Sequence, residues 1–168
     1  SITFESNSIY RNYVLLKQLN TPTKRRVPLI MLNPGSFKDI KGFARDFTLR
    51  KVREAFHNTG YEIEVLNIFN RAEPNQKKLL ALPPHQQNNN NPLFQRLQSY
   101  PKHSKVILQW GKVNNHIQPQ IESILSFLHQ HQLHPIGLKN QDGSYRHPRS
   151  WIQPSLINQF RKEIISQL

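Results

Sequence analysis

The chain has 168 residues, enough for one domain with its own core. It contains no cysteine, which excludes disulfides and thiolate metal sites, and no apolar run approaches the ~18 residues of a membrane span. The formal net charge is +13 and the pI about 10.4, which points to a polyanionic partner, nucleic acid first.

The first twenty residues read ambiguously. Tyr10 to Leu16 fits either a strand or a short amphipathic helix, and Glu5 argues against a leader peptide. Thr21 to Arg26 is a basic turn. Val27 to Leu32 is a short, continuous apolar run, the pattern of a central parallel strand, and Pro34-Gly35 ends it. Ser36 to Arg45 reads as a loop. Phe47 to Asn58 has Leu49, Val52, Ala55 and Phe56 at helical spacing, with Asp46 as N-cap and Gly60 as stop. Tyr61 to Phe69 is the next strand.

Arg71 to Asn91 shows no strong period beyond a short helix over Gln76 to Ala81. Its Gln86-Gln87-Asn88-Asn89-Asn90-Asn91 run reads as compositional bias. Leu93 to Tyr100 fits a helix and Lys105 to Gln109 a strand. Asn114 to Gln132 is a helix with Ile117, Ile121, Ile124, Leu125 and Leu128 on one face and Pro119 in its first turn. His134 to Leu138 is a last strand, 141–144 a turn, and Leu156 to Leu168 a closing helix. Strands alternating with helices imply a three-layer α/β/α domain with a mostly parallel sheet of four to five strands.

Four polar segments fall at strand ends or near them: Asn33-Pro34-Gly35, Asn67, Gln109-Trp110-Gly111-Lys112 and His147-Pro148. Ligands of open α/β sheets bind beyond the carboxyl ends of the strands, so these segments are expected to share one pocket. Asn33 can hold a water, or simply end a strand. Asn67 lies between Leu66 and Ile68; it either satisfies loop backbone or reads an amide edge, as Asn does with bases. Trp110 suits a core better than a ligand platform. Lys112 near a helix start hints weakly at phosphate. His147, with Tyr145, Arg146, Arg149 and Trp151, forms a basic and aromatic cluster suited to bases and phosphates. Asp46 is an N-cap or a catalytic acid, with Asp39 the other acid nearby. His129, His131 and His134 straddle a helix end and are expected to face solvent rather than bind metal.

Together these motifs resemble the uracil-DNA glycosylase superfamily. Val106-Ile107-Leu108-Gln109-Trp110-Gly111-Lys112 and the later His147-Pro148 resemble its C-terminal half. Leu32-Asn33-Pro34-Gly35 is similar to the first motif of its mismatch-specific branch, and Val65-Leu66-Asn67 to its base-reading strand. More closely, the chain resembles an uncharacterised bacterial and phage domain family. The shared features are Met31-Leu32-Asn33-Pro34, the Asp46-Phe47-Thr48-Leu49-Arg50 segment, Leu66-Asn67-Ile68-Phe69, Trp110-Gly111 and the late His-Pro.

The resemblance implies a monofunctional DNA glycosylase acting on a flipped-out base. Asn33 would orient the hydrolytic water and His147 donate to the departing base; for such an enzyme a carboxylate, Asp46 or Asp39, is the candidate to stabilise the sugar cation. Pro34, Gly35, Phe37, Phe43, Phe47, Asn67 and Phe69 would line the base pocket. Arg45, Arg50, Arg71, Lys112, Arg146, Arg149 and Trp151 would contact DNA, with Arg149 or Trp151 filling the gap left by the extruded nucleotide. Gly35 stands where uracil-specific enzymes carry a blocking Tyr, which implies a wider pocket and a bulkier, modified base such as phage DNA carries. No metal, cofactor, membrane or obligate protein partner is implied, and the expected location is the bacterial cytoplasm. A non-catalytic nucleic-acid-binding module and a nucleoside hydrolase are the other readings.

Overall fold

The computed structural model describes residues 2–6, 10–17, 22, 25–34 and 46–168. Its organising strand is β3 (Arg26–Met31). Val27, Leu29 and Met31 point to one face and Ile30 to the other, so β3 must be covered on both sides. It pairs in parallel with β4 (Glu62–Asn67), bringing Met31 opposite Asn67, and in parallel with β5 (Lys105–Leu108), bringing Ile30 opposite Leu108. A proline is unusual in such a strand. The Ile30 carbonyl turns toward β5, accepting from the Gln109 N–H at 2.9 Å. Two residues earlier Pro28 turns the same way, before the first β3–β5 pair at Leu29 and Ile107, so no ladder bond is lost.

Strand β6 (His134–Ile136) extends the parallel set beyond β5. On the other side the chain adds an antiparallel hairpin, β1 (Ile2–Ser6) and β2 (Arg11–Leu16). The sheet therefore has six strands in the order β1-β2-β4-β3-β5-β6, rather than four or five. The ambiguity at 10–16 is settled by pairing: Val14 and Leu16 bury beside Val65 and Ile63, which a local pattern cannot foresee.

One face is covered by α1 (Phe47–Ala55) and α6 (Pro154–Glu163), through Leu49, Val52, Ile157 and Phe160. Trp151 is buried in the same layer. The other face is covered by α2 (Gln76–Ala81), α4 (Leu93–Gln98) and α5 (Gln118–Gln130), through Leu79, Leu97, Ile121, Ile124 and Leu128. Helices on both faces make this a mixed α/β fold with a mostly parallel sheet. Leu125, assigned to the buried stripe of α5, is instead 36% exposed. The closing helix starts earlier than expected, at Pro154, which fits a first turn where no backbone donor is needed. Among the described residues no helix is long and apolar enough to cross a membrane. His134 stacks on His103, and the His131 ring touches Phe127.

The Gln/Asn run is architecture, not compositional bias. After the short helix α3 (Pro84–Gln87), Asn88 and Asn91 donate to the Ile68 carbonyl, and Asn91 also to the Asn67 carbonyl at 2.9 Å. Asn70 is fully buried. Its Nδ2 donates to Asn12 Oδ1 and the Asn89 carbonyl, and its Oδ1 accepts the Asn89 N–H. Short amides satisfy backbone groups that the strand leaves behind when it stops pairing. Asn70→Ala removes three such bonds in a buried place. Urea unfolding is expected to show a loss of about 2–4 kcal/mol, against under about 0.5 kcal/mol for the exposed Gln118→Ala.

Candidate functional site

Strands β4, β3, β5 and β6 lie side by side and run the same way, so their polar ends emerge along one edge of the sheet. Asn67 is the last residue of β4. It alternates with Leu66 and Ile68, which bury on the α5 side, so it points to the α1/α6 side. Gln109 follows β5, and its N–H continues the ladder to Ile30. Its neighbours Leu108 and Trp110 also bury on the α5 side, so Gln109 shares the α1/α6 side. Between them sits Met31, opposite Asn67. The result is a row across three strands: amide, thioether, amide.

Both amides are removed from water. Asn67 is 1% exposed and Gln109 0%. The Asn67 Oδ1, and both Oε1 and Nε2 of Gln109, have no hydrogen-bond partner among the described residues. An unmet buried polar atom costs about 1–3 kcal/mol. Of the two readings of Asn67, its side chain is not the one satisfying loop backbone; Asn91 does that.

Asn33 stands two residues past β3. Its Nδ2 donates to the Pro34 carbonyl at 3.3 Å and to the Glu73 carbonyl. Its Oδ1 accepts from no described residue, which leaves an oriented acceptor. Pro34 is buried beside it. Asp46 is the N-cap of α1. Its Oδ1 accepts the Leu49 N–H at 2.9 Å, and its Oδ2 lies 4.0 Å from the buried Arg11 guanidinium. Burial lowers the Arg11 guanidinium to about 10, against the pull of Asp46. Arg11 was invisible in the sequence because it belongs to a strand whose partner, the cap of α1, lies 35 residues on.

The His147 segment joins the edge through Gly111. That glycine has φ +77°, and a Cβ there would sit 3.0 Å from the His147 Cβ. Gly137, beyond the neighbouring strand β6, permits a similar close approach: a Cβ there would strike the Leu108 carbonyl and the Tyr145 ring. Tyr145 meets Trp110 edge-on, with ring centroids 5.4 Å apart. His147 caps a short 3-10 turn (Pro148–Ser150) that packs against α1. Its Nδ1 accepts the Arg149 backbone N–H at 3.0 Å, so the neutral ring carries its proton on Nε2. Burial first, and the Arg149 charge second, push the His147 imidazole down to about 4. At neutral pH it is an uncharged donor.

Other expected residues go elsewhere. Trp151 is 0% exposed, stacked on Phe160 with centroids 4.4 Å apart, so it is core and neither contacts DNA nor fills a gap in it. Phe69 is 2% exposed and belongs to the α5-side core, away from the amide row. Trp110 is core as expected. Arg50 lines a groove of about 430 Å³ between α1 and α6, with Arg53, His57 and Arg161. Arg71 lies over the Tyr10 ring at 5.7 Å. Arg146 reaches Gln159 on α6 at 3.5 Å, and Lys112 pairs with Asp142 at 3.5 Å. Arg149 is exposed and Phe47 half-buried. Gly35, Phe37, Asp39, Phe43 and Arg45 lie outside the described residues. Gln109 was seen only as a member of a motif. An amide between Leu108 and Trp110 is the signal that marks it.

The fold and the strand-end residues define an α/β protein whose polar groups gather at the carboxyl edge of a parallel sheet. The chain belongs to the DUF1643 family, described as protein of unknown function, whose model matches residues 12–149. No curated protein and no solved structure matches it.

The depressed His147 imidazole couples stability to pH. The unfolded imidazole takes its proton near 6.5, the folded one near 4. Between these values the unfolded chain holds more protons, so stability falls as pH drops from 6.5 toward 4. Thermal melts of wild type and His147→Gln across that range are expected to converge at low pH. The wild type should lose on the order of 1–3 kcal/mol more than the variant.

Proposed function

We propose that the chain is a monofunctional DNA glycosylase that hydrolyses the N-glycosidic bond of a flipped-out, modified base. The carrying observation is a pair of unmatched amides at one sheet edge, with the neutral His147 packed on Gly111 of the same strand end, in a chain of charge +13. The motif resemblance to the uracil-DNA glycosylase superfamily supports the same reading. The order of the parallel strands suits it too, since it brings the ends of β3, β4 and β5 to one edge.

In this reading the C1′–N bond breaks and its electron pair leaves with the base. The His147 Nε2–H donates to the base oxygen where negative charge grows. A neutral donor does this without first giving up a proton. A water held by the Asn33 Oδ1 adds to C1′, and its proton passes through solvent to the base anion. Asn33 orients that water but cannot deprotonate it, because an amide is no base at this pH. The oxocarbenium-like sugar is stabilised by DNA phosphates and by the Asp46 carboxylate, whose charge Arg11 and the α1 cap hold in place. Asn67 reads the base. Flipping costs a few kcal/mol, offset by phosphate contacts from the basic surface, with Arg149 the exposed cation beside His147. By the resemblance, a glycine at position 35 in place of a blocking Tyr favours a hypermodified pyrimidine of phage DNA and a defence role.

A second reading has a specific observation behind it. The Asn33 Nδ2 is committed to backbone carbonyls and no carboxylate stands at position 33. That is what a glycosylase-like module that binds DNA without cutting it would show.

Single-turnover assays on uracil-containing, mismatched and 5-substituted pyrimidine DNA separate the two. Abasic product is expected from the wild type, with a rate flat in pH from 8 down to about 5. Asn33→Ala, Asn67→Ala and His147→Ala should each lose about 100-fold or more. Salt-dependent DNA binding with no abasic product on any substrate would leave the binding module.

A further inference from the structure

We infer that Gln109 is a specificity-determining residue of this site, reading a second edge of the ligand that Asn67 reads from the other side. Gln109 is 0% exposed and neither of its side-chain polar atoms has a partner among the described residues. Its flanks, Leu108 and Trp110, bury fully or nearly so, and Ile107 two residues earlier packs on the same face of the sheet. An apolar residue of similar size would serve that environment better, since a buried amide with no partner destabilises the free protein. A bound ligand would complete its bonds.

The register says where that something lies. Asn67 pairs with Met31, and the Gln109 N–H bonds to the Ile30 carbonyl, so the two amides flank Met31 on one face. Two strand spacings separate their backbones by roughly 10 Å. The Met31 side chain between them is 3% exposed and packs in the α1/α6-side core. The ligand we infer is a planar ring whose two edges meet the amides.

The inference rests on the glycosylase reading for one point, that the ring is a nucleobase. It then narrows the substrate class. A carboxamide offers one donating and one accepting end. Gln109 therefore selects a base that carries a hydrogen-bonding substituent, such as a hydroxymethyl group, beyond the edge that Asn67 reads. A base without that substituent leaves Gln109 buried and unmet. Sites built to hydrogen-bond a substrate group reject analogues lacking it strongly.

The test compares excision of 5-hydroxymethyluracil and of uracil from otherwise identical DNA by the wild type, Gln109→Met and Gln109→Glu. The wild type is expected to prefer the substituted base by about 100-fold or more. Gln109→Met, which keeps the shape and removes both bonds, should bring the rates on the two bases to within about threefold of each other, chiefly by cutting the substituted base more slowly. Its melting temperature without DNA should equal or exceed that of the wild type. Gln109→Glu keeps acceptors, loses the donor and should fall between. Equal loss on both bases, an unchanged preference, or a lower melting temperature in Gln109→Met would make Gln109 structural and overturn the inference, leaving the glycosylase reading intact. If the wild type cuts neither DNA, the glycosylase reading fails instead. Thermal shifts with the free bases then decide: stabilisation by 5-hydroxymethyluracil that Gln109→Met abolishes sustains the amide site, and no shift in any variant ends it.

Discussion

The parallel pairing of β3 with a neighbour on each side is the constraint on which the rest of the molecule turns. A strand flanked this way has no free edge and no exposed face. Its apolar residues must bury both above and below, and only its carboxyl end is open to polar groups. The registers of Met31 against Asn67 and of Ile30 against Leu108 then fix which residues meet at that end. Shifting either pairing by one residue would turn Asn67 or Gln109 to the opposite face. The helices follow from the same pairing, because each crossover returns the chain to the start of the next strand.

What surrounds the open end divides into groups that are satisfied and groups that are not. The loop backbone after β4 is tied by Asn70, Asn88 and Asn91, and the start of α1 by Asp46 with Arg11 behind it. Among the buried side-chain atoms without a partner in the described residues, those of Asn67 and Gln109 lie at the carboxyl edge of the sheet. His147 belongs with these. Its ring is oriented by the Arg149 N–H and kept uncharged by burial, which leaves Nε2–H as its donor.

Much of this was legible in the sequence, and for local reasons. The apolar runs of β3 and β5, the cap at Asp46 and the helix over 76–81 are each set by neighbours within a few residues; α1 ends at Ala55, short of the stop expected at Gly60. That the residues at 67 and 109, at or just past the ends of β4 and β5, lie along one edge of the sheet was also legible, because α/β chains deliver parallel strand ends to one edge. The failures share a cause. Trp151 and Phe69 were read by residue type as ligand contacts, yet both are core, which depends on the layer above them. The Gln/Asn run looked like drift because its partners lie about twenty residues away in the chain. The N-terminal hairpin needed β4 to exist.

By itself, then, the sequence determined the alternation of strands and helices, the positive charge and the set of polar residues that end the strands. Hydrophobic period and capping are short-range properties, written in consecutive residues. Only the tertiary structure decided the burial of Arg11 beside Asp46, the approach of His147 to Gly111 and the two unmatched amides on one face. Those depend on register and desolvation, and both are properties of strands brought side by side rather than of any stretch of chain.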